Sequence, residues 1–374
     1  MNNPFVTNGY AGAKYFCDRE KETKNIVQMI TNENNLALIS PRRLGKTDLI
    51  YHCFAQPEIR DKYHTFIVDI YSTASVRDFV NLLGKAVLDS LKSKGRQSWE
   101  KFINAVSSLR QNIGFDMNGY PSWSIGIGEI ENPSVSLDEI FCYLESADKK
   151  CLVAIDEFQQ ITRYNDKNIE ATLRTYIQKC TNTHFIFSGS QRHLMGEIFT
   201  SPSRPFFQSV TIMNLPPIPL EKYTEFVVKH FEDAGKSIDK QVISCLYEKF
   251  DSITSYMQRI MNLLFVRTPI NGTCTIDMID STIEQLLDFS SDTYEAILYQ
   301  MPEKQRDLFV SIALDGKVKN ISGGEFVKKH KLLSPSSVLS AVKGLLEKDF
   351  ITEDRNVYSV YDKLFELWIK RMYK

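Results

Sequence analysis

A doubly wound α/β fold with a parallel five-stranded sheet, followed by a helical lid domain and a winged helix-turn-helix domain, is the architecture this 374-residue sequence predicts. Three observations predict it. Five short apolar or β-branched runs alternate with amphipathic helical patterns between residues 1 and 215, the pattern of a chain that winds helices onto a parallel sheet. The stretch Leu215-Pro-Pro-Ile-Pro-Leu220 then closes the alternation, because proline fixes the backbone and removes a donor. Beyond it the patterns are helical until the tail, where three helices precede two strand-like runs around a polar turn. The expected domains are 1–215, with an insertion at about 94–136, then 216–300 and 301–374.

Composition narrows the class. With 43% apolar and 24% charged residues the chain suits ordinary globular domains, and a formal charge of -1 excludes a global basic field for nucleic acid or an anionic membrane. The seven cysteines are odd in number and scattered without a C-x-x-C pair, so they read as reduced thiols. The start Met1-Asn-Asn-Pro-Phe-Val-Thr has no signal-peptide pattern, and no run nears the roughly 18 apolar residues of a membrane span. The expected compartment is the cytoplasm, with no membrane contact.

Taken in order, Tyr15-Phe-Cys-Asp18-Arg19-Glu20 leads into a helix from Lys21 to Thr31, with Ile26, Met29 and Ile30 on one face and Asp18 as the expected N-cap. Leu36 to Ile39 is apolar throughout, as in a strand buried on both faces, and Thr47 to Phe54 repeats apolar residues at helical spacing. Between them, Ser40-Pro41-Arg42-Arg43-Leu44-Gly45-Lys46-Thr47 follows the phosphate-loop pattern G-x-x-x-x-G-K-[ST], with Ser40 in place of the first Gly. In that pattern backbone N–H groups at a helix start cradle phosphate oxygens, the Lys reaches the terminal phosphates and the hydroxyl binds magnesium. Ser40 there implies an opening turn made by a residue with less backbone freedom than glycine.

Thr65 to Ile70 is the second strand and Val76 to Lys92 the next helix. In the insertion, Trp99, Phe102, Ile103 and Val106 have helical spacing, Asn118-Gly119 suits a hairpin turn, and the alternation of Ser124-Ile-Gly-Ile-Gly128 suggests a strand. Leu137 to Leu144 restarts a helix, and Cys151 to Ile155 is a fully apolar strand ending in Asp156-Glu157. Ligands of open α/β sheets bind at the carboxyl ends of strands, so these two carboxylates should face the same crevice as the loop. A helix from Asn168 to Cys180 precedes the fourth strand, His184 to Phe187, which ends in Ser188-Gly189-Ser190-Gln191-Arg192. Ser190 suits either a water-positioning or phosphate-sensing role, or an N-cap before the helix His193 to Phe199. A link containing Arg204 leads to the fifth strand, Val210 to Met213.

Tyr223 to Ala234, Asp239 to Phe250, Ser255 to Phe265 and Met278 to Ser290 read as the helical domain. In the tail, helices Glu303 to Leu314, Gly324 to Lys331 and Ser336 to Lys348 precede the strand-like Phe350-Ile-Thr352 and Val357 to Val360. Residues 302–374 carry 14 Lys+Arg against 10 Asp+Glu, a difference of +4 that permits DNA binding without demanding it. Ser336 to Leu346 offers a single Lys, little charge for phosphate contact. His184, His193 and His230 lack a metal-ligand constellation, and Trp368 with Leu364 and Phe365 reads as a core stripe.

As a set, Ser40 to Thr47, Ala154-Ile-Asp-Glu-Phe-Gln-Gln-Ile161, Leu173-Arg-Thr-Tyr-Ile-Gln178, Phe187-Ser-Gly-Ser-Gln-Arg192, Ser201-Pro-Ser-Arg-Pro-Phe206 and Tyr361-Asp-Lys-Leu-Phe-Glu-Leu-Trp368 resemble the archaeal-type P-loop ATPases. These are relatives of AAA+ proteins within the signalling class of NTPases called STAND. The resemblance covers nearly the whole chain, with Ser40 to Thr47 in the place of Walker A and Asp156-Glu157 in that of Walker B. It implies an ATP/ADP-binding core, a helical lid and a winged-helix domain used as a nucleotide-driven switch. Two departures stand out: Ser40, and Ile253-Thr-Ser-Tyr256 where relatives often place a Gly-x-Pro that helps hold the base.

On this reading Arg19, Ser40 to Lys46, Thr47 and Asp48 bind nucleotide, Thr47 and Asp156 hold Mg²⁺, and Glu157 is the base that activates water. Ser190, Arg192 and Arg204 are candidates for sensing the terminal phosphate, the arginines in cis or across a homo-oligomer boundary. Expected partners are ATP and a protein the sequence does not identify, with DNA only weakly supported. The rival reading is an ATP-responsive DNA-binding regulator, or a scaffold with little turnover.

Overall fold

A computed structural model of the chain describes residues 3–123 and 130–373. Its central sheet consists of β1 (Leu36–Ile39), β2 (Tyr63–Asp69), β3 (Lys150–Asp156), β4 (Thr183–Gly189) and β5 (Thr211–Asn214), all parallel, in the order β2-β3-β4-β1-β5. The five expected strands are therefore present, with ends shifted by a residue or two. Because side chains alternate across a strand, the sheet carries two separate cores. Ala37, Ile39, Val153, Ile155, Phe185 and Phe187 join one, and Leu36, Leu38, Leu152, Ala154 and Ile186 join the other.

Helices supply both second layers. On one face lie α1 (Glu20–Thr31) and α2 (Lys46–Phe54), through Ile26, Ile30, Leu49, Ile50 and Cys53. On the other lie α3 (Val76–Lys92), α4 (Pro133–Glu145), α5 (Ile169–Lys179) and α6 (Arg192–Thr200). This is the doubly wound arrangement. β1 lies between β4 and β5, so the loop after β1 emerges beside the carboxyl ends of β4 and, one strand further, β3.

The insertion forms a helix, Arg96–Ala105, and a hairpin pairing Ile113–Phe115 with Pro121–Trp123. Gly119 in its turn has φ 76°, the left-handed conformation glycine adopts freely. The strand expected at Ser124 to Gly128 lies outside the described residues. One N-terminal detail differs: the cap position of α1 is Arg19 rather than Asp18, and both have positive φ (77° and 56°), so the chain turns sharply before the helix begins.

The chain divides into two compact units, one of residues up to His230 with Asp251–Arg259, the other of Phe231–Phe250 with everything from Ile260 onward. In the second unit, Glu303–Asp315, Gly324–Lys329 and Pro335–Glu347 precede the hairpin Ile351–Asp354/Val357–Val360. Lys317–Lys319, a strand the sequence pattern did not reveal, pairs antiparallel with Val357–Val360 and completes a three-stranded wing. The helix expected to end at Ser290 continues to Gln300 and stops before Pro302. It packs on the C-terminal helix Lys363–Met372: Tyr294 stacks on Phe365 at 4.4 Å, and Trp368 Nε1 donates to Ser291 Oγ (2.9 Å). A minor parallel pair, Ser237–Ile238 with Thr273–Cys274, was also invisible in the pattern. Among the described residues no helix is long and apolar enough to cross a membrane.

Candidate phosphate-binding site

The loop after β1 begins with Ser40, fully buried, whose N–H donates to the Gly189 carbonyl (3.3 Å) and whose hydroxyl donates to the Pro41 carbonyl (2.9 Å). Ser40 is not among the residues with positive φ; those are Arg43 (69°) and Gly45 (84°). The position expected to need glycine's freedom does not use it, and the turn is made three to five residues later. Gly45 caps α2 without a side-chain acceptor, so the first-turn N–H groups point from the helix start toward any anion placed there. Lys46 curls back to donate to the Ser40 and Pro41 carbonyls (3.1 and 3.3 Å). Burial pulls its ammonium below the usual lysine range, opposed by the negative charges of Glu157 and Asp156.

At the end of β3, Thr47 Oγ1 donates to Asp156 Oδ2 (2.6 Å), and Asp156 Oδ1 accepts the Glu157 N–H (3.0 Å). Glu157 has φ 55° and turns the chain out of the strand, while the next residue, Phe158, is locked among Phe187, Phe199 and Phe206 with ring centroids 4.5, 5.8 and 5.5 Å away. That aromatic floor holds a backbone conformation that would otherwise cost about 1–3 kcal/mol. Glu157 Oε2 accepts from Ser190 Oγ (2.6 Å) and from Gln159 Nε2. Gln159 reaches it because residue 189 is glycine: a Cβ there would lie 2.5 Å from Gln159 Oε1. Arg42 Nε donates to Ser190 Oγ (3.1 Å) and stands 3.9 Å from Glu157 Oε1, with its guanidinium 4.8 Å from the Tyr71 ring centroid.

These groups open onto a cavity of about 430 Å³ lined by Arg42 to Asp48 and Glu157 on one side, and by Val6 to Ala11, Tyr15 to Cys17 and Arg19 on the other, with Ile218, Thr254, Ser255 and Gln258 beside them. The size suits a small-molecule site. The N-terminal segment is fastened to α2: Tyr10 Oη bonds His52 Nδ1 (2.8 Å), and the Phe16 ring stacks on His52 at 4.4 Å. Arg19 is 2% exposed and donates to Glu22 Oε1 (3.1 Å). Asp48 lines the cavity, and burial raises its carboxyl above the usual aspartate range; burial does the same to Asp69 at the end of β2, helped by the charges of Asp156 and Glu157. Where a Gly-x-Pro was expected, Ser255 N–H donates to the Arg43 carbonyl (3.2 Å) and the Tyr256 ring lies under the Arg43 guanidinium at 4.8 Å.

Most residues nominated from sequence thus meet here, with differences. Ser40 and Pro41 act through carbonyls on Lys46 rather than by lining the cavity. Ser190 is not the cap of α6, whose cap position is Gln191; its hydroxyl is spent on Glu157. Arg204 pairs with Glu170 and Glu197 (2.9 Å each), and Arg192 is exposed at the first turn of α6; neither lines the cavity. Sequence reasoning missed Gln159, Tyr71 and the N-terminal wall. Only Gln159 left a signal, two residues after the paired carboxylates.

A family model described as "ATPase domain predominantly from Archaea" matches residues 16–259, and one described as "Probable winged helix domain" matches residues 292–371. Among solved structures, a Walker-type ATPase of Pyrococcus abyssi is similar at 15% identity and TM-score 0.66, over 98% of this chain and 99% of that one. The Aeropyrum pernix ORC2 protein, solved as ADPNP-ADP complexes, is similar at 11% identity and TM-score 0.59, over 100% and 98%. The ORC1 protein of the same organism, solved with DNA, is similar at 11% identity and TM-score 0.54, over 95% and 93%. No match was found among curated protein sequences.

Proposed function

The chain belongs to the family of ATPase domains found predominantly in Archaea, and from that premise we propose that it binds Mg-ATP on the loop Ser40 to Thr47, hydrolyses it, and works as a nucleotide-driven switch. The observation that carries the reading is the Thr47–Asp156 contact of 2.6 Å with Glu157 next in sequence and facing the cavity. It joins the hydroxyl and carboxylate that a magnesium–phosphate site uses to a second carboxylate free of that duty. Among the described residues no group of three metal-ligating acids, histidines or cysteines occurs. One carboxylate and one hydroxyl fit Mg²⁺, which takes its remaining ligands from phosphates and water. When bound, the ion would supply charge neutralisation on the phosphates.

The chain's own groups divide the rest of the work. Lys46 and the N–H groups of α2 hold the phosphates. Glu157 takes the proton of a water whose oxygen bonds the terminal phosphorus as the bond to the ADP oxygen breaks. Ser190 and Gln159 orient that carboxylate. The proposed division of labour keeps 1–215 as the catalytic domain, 216–300 as the lid and 301–374 as the winged-helix output. A DNA-directed output has less support: helix Pro335–Glu347 carries one cation, Lys343, with Glu347 3.9 Å away. The test is Glu157→Gln. It should bind ATP like wild type and hydrolyse it about 100-fold more slowly or worse; hydrolysis at the wild-type rate would sink the assignment of the base.

A further inference from the structure

Of the two arginines nominated from sequence for the terminal phosphate, Arg204 is paired to Glu170 and Glu197 and Arg192 is exposed on α6, and neither lines the cavity; a second cation for that phosphate, beside Lys46, has to come from the cavity lining. We propose that Arg42, inside the phosphate-binding loop, is that cation, and that it reaches a terminal phosphate by leaving a parked position against Tyr71, Ser190 and Glu157. The inference rests on the ATPase reading above and adds a residue role to it.

Arg42 lines the same cavity as Lys46, Thr47 and Glu157, on the backbone that would wrap the phosphates. Three of its contacts are exchangeable. The Tyr71 face offers a cation–π contact at 4.8 Å on a residue 48% exposed, worth about 0.5–1 kcal/mol at an exposed site. The Glu157 separation of 3.9 Å is attraction between charges without a hydrogen bond. The Ser190 contact, at 3.1 Å, is a single neutral acceptor. A terminal phosphate carries more charge than Glu157 and presents oxygens that a planar guanidinium can grip with two N–H groups at once. ADP, lacking that phosphate, leaves Arg42 parked.

The experiment measures binding of ADP and of a non-hydrolysable ATP analogue, together with single-turnover ATP hydrolysis, for full-length wild type, Arg42→Gln, Arg42→Lys and Tyr71→Ala. Arg42→Gln should bind ADP within about threefold of wild type, lose the preference for the analogue, and slow hydrolysis about 10³-fold. Arg42→Lys should regain part of the analogue preference and little of the rate, since a point charge lacks the fork. Tyr71→Ala, which loosens the parked state, should tighten analogue binding by up to about fivefold with ADP binding unchanged. Near-wild-type hydrolysis by Arg42→Gln, a parallel loss of ADP and analogue binding, or weaker analogue binding by Tyr71→Ala would each overturn the proposal while leaving the ATPase reading intact. Wild type that binds neither nucleotide would overturn both.

Discussion

The cluster of Lys46, Thr47, Asp156, Glu157, Ser190 and Arg42 and the cluster of Arg204, Glu170 and Glu197 belong to the same α/β unit, and both put charges where burial makes them costly. The second pairs internally: Arg204 meets Glu170 Oε1 and Glu197 Oε1 at 2.9 Å each, and none of the three faces the cavity. The first closes only in part. Lys46 spends its ammonium on two loop carbonyls, and Thr47 and Asp156 hold each other at 2.6 Å, both substitutes for what a phosphate and its metal would offer. The difference teaches that charge alone does not mark a site here; charge whose present partners are weaker than an incoming ligand does.

Lys46→Ala should break the comparison most visibly. Nucleotide binding should fall by at least about 100-fold, a loss of about 2.7 kcal/mol, while thermal stability stays within a few degrees of wild type or rises. A buried ammonium kept below its usual range by desolvation is a cost to the folded state, and its removal strands two carbonyls at most. Isothermal titration and a melting curve on the same preparation check both halves. A Lys46→Ala protein that binds ADP normally would sink the reading of the loop.

Arg204→Ala should do the reverse, leaving nucleotide binding unchanged and costing roughly 2 kcal/mol of stability, because Glu170 is left buried without its cation. The pH dependence fixes the cause. Burial raises the Glu170 carboxyl above the usual glutamate range, Arg204 opposes that rise, and Glu197 adds to it. Removing Arg204 therefore raises the folded-state value further above the unfolded one. The resulting penalty is present in full above the folded value and disappears as pH falls through it toward the unfolded value, because a protonated Glu170 needs no cation. The stability gap between variant and wild type should narrow from pH 7 to pH 5 in urea unfolding; a gap that widened would contradict the sign.

Much of this contrast was legible in the sequence, and the limit lay in what side chains do beyond their own element. The apolar runs Leu36 to Ile39 and Cys151 to Ile155 placed β1 and β3, because strands buried on both faces admit few other readings. The pairing of the loop with Asp156-Glu157 followed from the rule that parallel strands gather ligands at their carboxyl ends. Arg204 was nominated as a sensor of the terminal phosphate, in cis or across a subunit boundary, and nothing in its spacing shows that Glu170 and Glu197 flank it from α5 and α6. Arg42 was counted only as loop, because nothing in spacing says that it leans over β4 to Ser190, 148 positions away. The strand Lys317–Lys319 was missed for a simpler reason: three residues with one apolar side chain carry no period to detect.

Ser40→Gly separates motif from mechanism with the smallest effect. Judged by pattern, glycine at this position should improve the site. The backbone argues otherwise: Ser40 needs no left-handed conformation, its N–H is anchored on Gly189 at 3.3 Å, and the positive φ angles fall on Arg43 and Gly45. Substituting glycine adds freedom to the unfolded chain without relieving strain in the folded one, and it deletes a buried hydroxyl that bonds Pro41 at 2.9 Å. The expected result is a stability loss of about 0.5–1 kcal/mol, with affinity for ADP and for an ATP analogue unchanged within about twofold. The carbonyl that holds Lys46 is backbone and survives the change, so the phosphate cradle keeps its shape. A tenfold gain in affinity would mean that the opening turn reshapes when nucleotide enters, and that the serine hinders that movement.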